Sequence, residues 1–521
     1  MYRGFIGLGV VLLAMSTALR AQQPVKDDAR ALEDHVRKVV AQAEPAVVAV
    51  IVSHAKYPRL PTDGPPRPGR LGKYLDPPDN QGVNRFGPKD TGYDPKLDLS
   101  DPQNVADNLF GSGLVLDSSG LILTPYHLIE GATKIYVRTS TGKGSYADFH
   151  AYDARSDLAV LKLIEPPAGM KEIRLGDVRV SDGPNGEKPT VARGMFVLSM
   201  GHAQAAGAAD GSASVSFGVL SNVRRRAAGP SREEQRTRTL PHYGMLLQTD
   251  ARVTLGCSGG ALLNLEGELI GITTPMAAVT GAETSGGFAL PIDANYRRIL
   301  DVLKAGKEVE YGFLGVTFSR EIGHTRLDNG LKIDKVTPGA PAYNAGLLGS
   351  TTPTRGGDSI VAIDGNPIKE QDDLFLYVGA ALAGTQVKMT VSRPQSPLLD
   401  VKVTLAKFDH PLPWLATNKS PDFLGLRIDY SSVMLLKANL ADTGIPAGVA
   451  VREVDPGSVA AEKFKALPEP VTRWLITHVN GKAITNPTEY YGEIRGKDSI
   501  RLRLLDPSSS GADRNREITI P

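Results

Sequence analysis

Eight apolar runs of four to six residues, each bounded by turn-forming residues, limit most strongly what this chain can fold into. They are Gly113 to Leu116, Leu121 to Thr124, Lys134 to Arg138, Leu158 to Leu163, Phe196 to Met200, Val215 to Leu220, Leu246 to Thr249 and Leu269 to Thr273. Short strands at regular spacing argue for an antiparallel sandwich or barrel. Ahead of them, Leu32, Val36, Val39 and Val40 recur at helical spacing between Asp27 and Ala43, and Pro45 ends that pattern before a strand-like run from Ala46 to Val52.

The flanking composition decides how many such units fit. With 521 residues, 41% hydrophobic and 22% charged, the chain can bury several separate cores. A net charge of +2 provides no general field toward nucleic acid or an anionic membrane. The basic cluster Arg224-Arg225-Arg226 with Arg232, Arg236 and Arg238 lacks interleaved aromatics and alternates with Glu233-Glu234, which reads as a solvated loop and not a nucleic-acid surface. Cys257 is the single cysteine, so no intramolecular disulfide or multi-thiolate metal site can form. No metal or nucleotide motif of suitable spacing is present, and no cofactor is expected.

Arg3 followed by the apolar run Phe5 to Met15 reads as a secretion signal over residues 1–21, with cleavage after Ala21. Leu19 and Arg20 fit the small-residue rule at a cleavage site poorly, which leaves an uncleaved membrane anchor as the alternative. Residues 57–103 carry ten prolines among glycines and charges, a composition that cannot bury a core and reads as a loop insert.

A weak internal repeat begins near residue 312. Phe313-Leu314-Gly315-Val316 returns as Phe423-Leu424-Gly425-Leu426, Val336-Thr337-Pro338-Gly339 as Val454-Asp455-Pro456-Gly457, and Ile363-Asp364-Gly365-Asn366 as Val479-Asn480-Gly481-Lys482. The separations are 110, 118 and 116 residues (313 to 423, 336 to 454, 363 to 479), and the shared order points to duplicated domains. They span 312–407 and 423–521, with a proline-rich linker at 408–422. The second copy is the more degenerate, because Glu462 to Arg473 stands where the first has Gly357-Asp358.

Leu255-Gly256-Cys257-Ser258-Gly259-Gly260 sets a serine in a glycine-flanked turn between two strand-like runs. Glycines allow a nucleophilic hydroxyl to be exposed while backbone N–H groups, here those of Gly256 and Ser258, face a developing oxyanion. Alone, the string fits an ordinary turn equally well. His127 follows the strand ending Thr124-Pro125-Tyr126 and is the candidate base. Asp157, opening the run Leu158 to Leu163, is the candidate orienting acid, with Asp153 a rival that its turn position favours for a structural role.

These segments, with Gly111-Ser112-Gly113, Arg155-Ser156-Asp157-Leu158-Ala159-Val160, Gln248-Thr249-Asp250-Ala251, Gly267 to Ile272 and Gly287 to Pro291, resemble the HtrA/DegP protease family in content and order. The resemblance implies a mainly β fold, with a chymotrypsin-like double β-barrel over 27–305 followed by two α+β PDZ-like domains. It further implies a Ser258–His127–Asp157 triad acting as a serine endopeptidase on unfolded or damaged proteins in the periplasm or outside the cell, and a homotrimer or larger assembly. The alternative is a protein-binding chaperone or scaffold whose protease domain is latent. The Phe-Leu-Gly turns resemble PDZ carboxylate-binding loops, making Phe313, Leu314, Gly315 and Val316, then Phe423, Leu424, Gly425 and Leu426, the expected contacts for C-terminal peptides. Cys257 replaces the family's usual asparagine. Arg252, six residues before Ser258, falls near the expected base of the specificity pocket, where a cation would favour acidic side chains.

Overall fold

In a computed structural model, the chain is described over residues 28–54, 97–104, 109–180, 187–202, 211–225, 245–254, 256–274, 287–318, 330–350, 357–368, 371–379, 381–410, 412–440, 443–468, 470–509 and 514–521. The expected signal segment, most of the proline-rich insert and the basic residues from Arg226 to Arg238 lie outside these.

Residues 28–43 are helical and lead into β1 (Val47–His54), as the periodicity and Pro45 require. Val39 and Ala43 bury the helix's apolar stripe, with Val36 and Val40 packed beside them. A first six-stranded barrel follows. Strands β2 (Leu109–Val115), β3 (Leu121–Pro125), β4 (Ala132–Arg138), β5 (Gly144–Asp153) and β6 (Leu158–Leu163) join β1 in the order β5-β4-β1-β2-β3-β6, and β5 pairs with β6 to close it. Strands β7 (Phe196–Gly201), β8 (Ser214–Arg225), β9 (Leu246–Thr249), β10 (Ala261–Leu263), β11 (Leu269–Thr274) and β12 (Gly287–Pro291) close a second barrel in the order β10-β11-β12-β9-β8-β7. All eight predicted runs are strands. Strand β5 was missed because its ten residues mix buried and half-exposed positions, GSYADFHAYD, without a continuous apolar signal.

Each barrel has its own interior core, and a third cluster packs between them. The helix Ala294–Lys304 lies against β5 and β6 of the first barrel. Asp293 caps it by accepting the N–H groups of Asn295 and Tyr296, and Tyr296, Ile299, Leu300 and Leu303 form the buried i, i+3, i+4, i+7 stripe. Each such side chain contributes about 1.5–3 kcal/mol by leaving water.

The rear of the chain contains two sheets of one topology. Strands β14 (Val316–Phe318), β15 (Leu331–Val336), β16 (Ser359–Ile363), β18 (Gln386–Ser392) and β19 (Leu399–Thr404) form the first, with β17 (Asn366–Pro367) folded back on β16. In the second, β22 (Leu426–Tyr430), β23 (Val449–Val454), β24 (Leu475–Val479), β26 (Ile500–Leu505) and β27 (Asn515–Ile520) repeat that order, with β25 (Lys482–Ala483) on β24. The paired sequence landmarks fall on matching turns: Asp364-Gly365 and Asn480-Gly481 both have positive φ, the geometry of a tight hairpin. A short ribbon of β13 (Gly312–Phe313) with β20 (Ala406–Lys407) closes the base of the first unit.

The segment expected as a linker, 408–422, does more than connect. Within it β21 (Trp414–Ala416) adds to β5 and extends the first barrel's sheet by one strand. A proline-rich sequence hides this because an edge strand can be short and needs only one bonded side.

Candidate active site

Pro125, the last residue of β3, lies opposite Leu158, the first of β6. The helical turn Tyr126–Ile129 leaving β3 is therefore beside the turn entering β6, which places His127 against Asp157. His127 Nδ1 and Asp157 Oδ2 are 2.7 Å apart, and Asp157 Oδ1 accepts the His127 backbone N–H at 2.8 Å. Both carboxylate oxygens are thus committed to one histidine. Asp157 has φ of 56°, a left-handed conformation costly for a non-glycine residue, and its carbonyl accepts the Tyr126 N–H at 3.0 Å to hold it there.

Ser258 comes from the second barrel. Its Oγ is 3.2 Å from His127 Nε2, and its carbonyl accepts the Ser112 N–H of β2 at 2.8 Å across the cleft. The flanking glycines are required sterically: a Cβ on Gly256 (φ 89°) would meet the His202 carbonyl oxygen at 2.3 Å, and one on Gly259 (φ 85°) the Ser112 carbonyl oxygen at 2.2 Å. Among the described residues no acceptor lies against the N–H of Gly256 or Ser258. Cys257 is buried with its Sγ 3.5 Å from Thr254 Oγ1.

The electrostatics favour a cation on the histidine. Burial opposes protonation of His127, but the charge and hydrogen bond of Asp157, with Glu130 beyond, outweigh it and raise the imidazole above its ordinary 6.5. A serine hydroxyl, an imidazole and a buried carboxylate in line can take a proton from oxygen and hold it as an imidazolium.

Residues 111–272 match a trypsin-like peptidase domain and residues 312–405 a PDZ domain. A Synechocystis protein assigned as serine protease HhoA is 31% identical over 297 residues, covering 54% of this chain and 67% of its own length. The chain belongs to the HtrA-type serine protease family. A DegP-like periplasmic serine endoprotease of Pseudomonas fluorescens is 27% identical over 509 residues, 94% of each chain. The periplasmic pH-dependent serine endoprotease DegQ of Escherichia coli is 28% identical over 362 residues, 68% of this chain and 69% of its own. The structure of HtrA-type protease AlgW with decapeptide is similar over 72% of this chain and 98% of its own, with 23% identity and a TM-score of 0.44.

In this HtrA-type protease the two carboxylate-loop candidates differ. Leu314 is buried in the first unit's core, Phe313 is half-buried with its ring stacked toward Phe408, and the Leu314 and Gly315 N–H groups meet no acceptor among the described residues. In the second unit Phe423 takes the core position and Leu424, at φ 51°, is exposed. Phe423 and Leu426 exchange backbone hydrogen bonds at 2.9 Å, and the Gly425 N–H donates to Asp422 Oδ2 at 2.7 Å.

Arg252 is exposed, and its backbone N–H donates to Ser216 Oγ at 2.9 Å. Asp153, the rival acid, is buried and accepts the Ser156 N–H at 2.8 Å and the Tyr311 hydroxyl. Between Asp153 and Asp157, Arg155 places its guanidinium 4.3 Å from the Tyr311 ring and 5.0 Å from that of Phe408, and donates to the Gly379 carbonyl at 3.0 Å. Tyr311, Gly379 and Phe408 belong to the first rear unit and its ends. Their contact with the Asp157 turn had no sequence signal, since it joins residues more than 150 positions apart.

Proposed function

We propose that Ser258, His127 and Asp157 are the catalytic triad of this serine endopeptidase and that it cleaves unfolded or damaged proteins after export to the periplasm. The observation that carries the reading is the unbroken line from Ser258 Oγ to His127 Nε2 at 3.2 Å and from His127 Nδ1 to Asp157 at 2.7 Å. Ser258 Oγ attacks the scissile carbonyl carbon while its proton passes to His127 Nε2. Asp157 stabilises the imidazolium, and the Gly256 and Ser258 N–H groups receive the oxyanion. Collapse breaks the peptide C–N bond, the imidazolium protonates the leaving amine, and water activated by His127 then hydrolyses the Ser258 ester.

Export rests on the N-terminal signal pattern and on relatives named as periplasmic endoproteases. Assembly as a homotrimer or larger oligomer is part of the proposal, with the stacked, exposed Phe196 and Phe217 on neighbouring β7 and β8 as apolar surface open to burial between copies. The peptide-docking role goes to the first rear unit through Phe313 to Val316 and the outer edge of β14. Arg252 is assigned to the specificity pocket, where its charge favours acidic side chains.

Casein degradation and fluorophosphonate labelling by the wild type and Ser258→Ala test the triad. The substitution is expected to lower turnover by about 10⁶ and abolish labelling. Equal proteolysis by the two proteins would remove Ser258 from the mechanism and leave protein binding as the function.

A further inference from the structure

Two buried hydroxyls lie behind the Ser258 loop and take no part in the proton path. Ser112 of β2 and Thr273 of β11 are each 0% exposed and belong to different barrels. Ser112 Oγ donates to the Gly256 carbonyl at 2.8 Å and itself accepts the His202 N–H at 2.8 Å, so its one proton is directed at Gly256. Thr273 Oγ1 donates to the Cys257 carbonyl, which also accepts the Gly260 N–H at 2.9 Å.

We propose that Ser112 and Thr273 are positioning residues that aim the backbone donors of Gly256 and Ser258 at the reacting carbonyl. The inference rests on the Ser258 reading and extends it. In a trans peptide the carbonyl and the following N–H point in opposite directions. Holding the Cys257 carbonyl on Thr273 therefore turns the Ser258 N–H the other way, toward the cleft. The Gly256–Cys257 peptide is fixed at both ends, its carbonyl on Ser112 and its N–H on the Thr254 carbonyl at 3.0 Å. That plane joins the two donors, and the Gly256 N–H leaves it at a φ of 89°, which the glycine alone permits.

Without the hydroxyls, each carbonyl loses a buried partner and the loop can rotate to find another. Donors aimed in advance are what such a site contributes to the transition state, so misdirection lowers kcat and leaves ground-state binding nearly intact. The His127–Asp157 pair shares no hydrogen bond with either hydroxyl, so the pH dependence stays in place.

The test compares Ser112→Ala, Thr273→Val and Thr273→Ser with the wild type in peptide hydrolysis, fluorophosphonate labelling and thermal melting. Ser112→Ala and Thr273→Val are expected to lose about 10- to 100-fold in kcat, below the roughly 10²–10³ of deleting a donor outright, with KM within about twofold and the acid limb of kcat unmoved. Thr273→Ser restores the hydroxyl and is expected to recover turnover. Wild-type kcat in a folded Ser112→Ala and a folded Thr273→Val, or a loss confined to KM, overturns the inference. Ser258→Ala, run beside them, separates the two claims: if it stays active the triad reading fails, and if it is dead while the hydroxyl variants are unimpaired only the positioning role fails.

Discussion

The carboxylate of Asp422 accepts the Gly425 N–H at 2.7 Å, inside the second unit's counterpart of the Phe313 to Val316 loop. The equivalent Gly315 N–H of the first unit faces no acceptor among the described residues. The second unit thus satisfies with its own acid a group whose counterpart in the first unit's proposed docking loop has no partner among the described residues.

Peptide stoichiometry follows from that difference. A C-terminal peptide with a free carboxylate is expected to bind one site per chain by calorimetry, and its amidated form to bind weakly. Gly315→Ala, whose Cβ would meet that of Ala340 at 2.2 Å, is expected to abolish binding. Gly425→Ala, clashing instead with Ser458, leaves it unchanged. Two equivalent sites would contradict the assignment.

Acid dependence tests the His127–Asp157 pair. The raised imidazole requires the acid limb of kcat to have its midpoint above 6.5, activity growing as pH rises and the base becomes neutral. The stability contribution has the opposite sign: protonated His127 stabilises the fold fully below 6.5, and this is lost as pH rises through the folded value. Asp157→Asn removes the charge that offsets burial, so the limb is expected to move to lower pH while kcat falls about 10⁴-fold. A midpoint that stays put in Asp157→Asn would mean another group controls it.

The ends of the first rear unit meet the second in a buried charge cluster. Lys407 lies 2.7 Å from Glu308, 3.2 Å from Glu310 and 2.7 Å from Asp429, while Arg452 bonds Glu308 at 2.6 Å and covers the Trp414 ring at 4.9 Å. Burial opposes the Lys407 charge, but Asp429, Glu310 and Glu308 outweigh it and hold the ammonium well above its usual range. Lys407→Met leaves three carboxylates facing one arginine and is expected to destabilise the protein by about 3–5 kcal/mol in denaturant melts. A change under about 1 kcal/mol would show that water reaches the cluster.

Cleavage-site profiling on denatured protein addresses Arg252. Acidic residues before the scissile bond are expected to be enriched and to lose that enrichment in Arg252→Ala. An unaltered preference for small aliphatic residues in both proteins would place the guanidinium outside the pocket.

The barrels were legible from short apolar runs, whereas the three candidate site residues were singled out by the order of the motifs around them, since the glycine-flanked serine alone fits an ordinary turn. What escaped the sequence is long-range or inverted. Strand β5 alternates irregularly, and β21 was masked by prolines. The second repeat looked degenerate at Arg473, yet its ion pair survives with the charges exchanged. Asp358 before β16 bonds Arg393 after β18, and Arg473 before β24 bonds Asp506 after β26. A reading by residue type sees a missing aspartate there, whereas the fold needs only opposite charges.

The hydroxyl of Tyr311 links the first PDZ unit to the turn that carries Asp157. It bonds Asp153, which receives the Ser156 N–H and so shapes the turn ending at the strained Asp157. Burial first, and then the Asp153 charge, hold the Tyr311 phenol well above its usual range, so it remains a donor at every physiological pH. Tyr311→Phe keeps the ring under Arg155 and removes the hydroxyl's bonds to Asp153 and Ser156, leaving a buried carboxylate one partner short at a cost of about 1–3 kcal/mol. The strained Asp157 keeps its bonds to Tyr126 and His127 but loses part of the support beneath its turn. We expect kcat to fall about 3- to 30-fold with KM nearly constant, and a bound C-terminal peptide to change the rate less than in the wild type. Arg155→Met, which breaks the contacts with Gly379 and both rings, is expected to act in the same direction, whereas Lys388→Met, which removes only the exposed pair with Asp400 on β18 and β19, is expected to leave both rate and response unchanged. If Tyr311→Phe keeps full activity and the full peptide response, communication between the units runs through another contact.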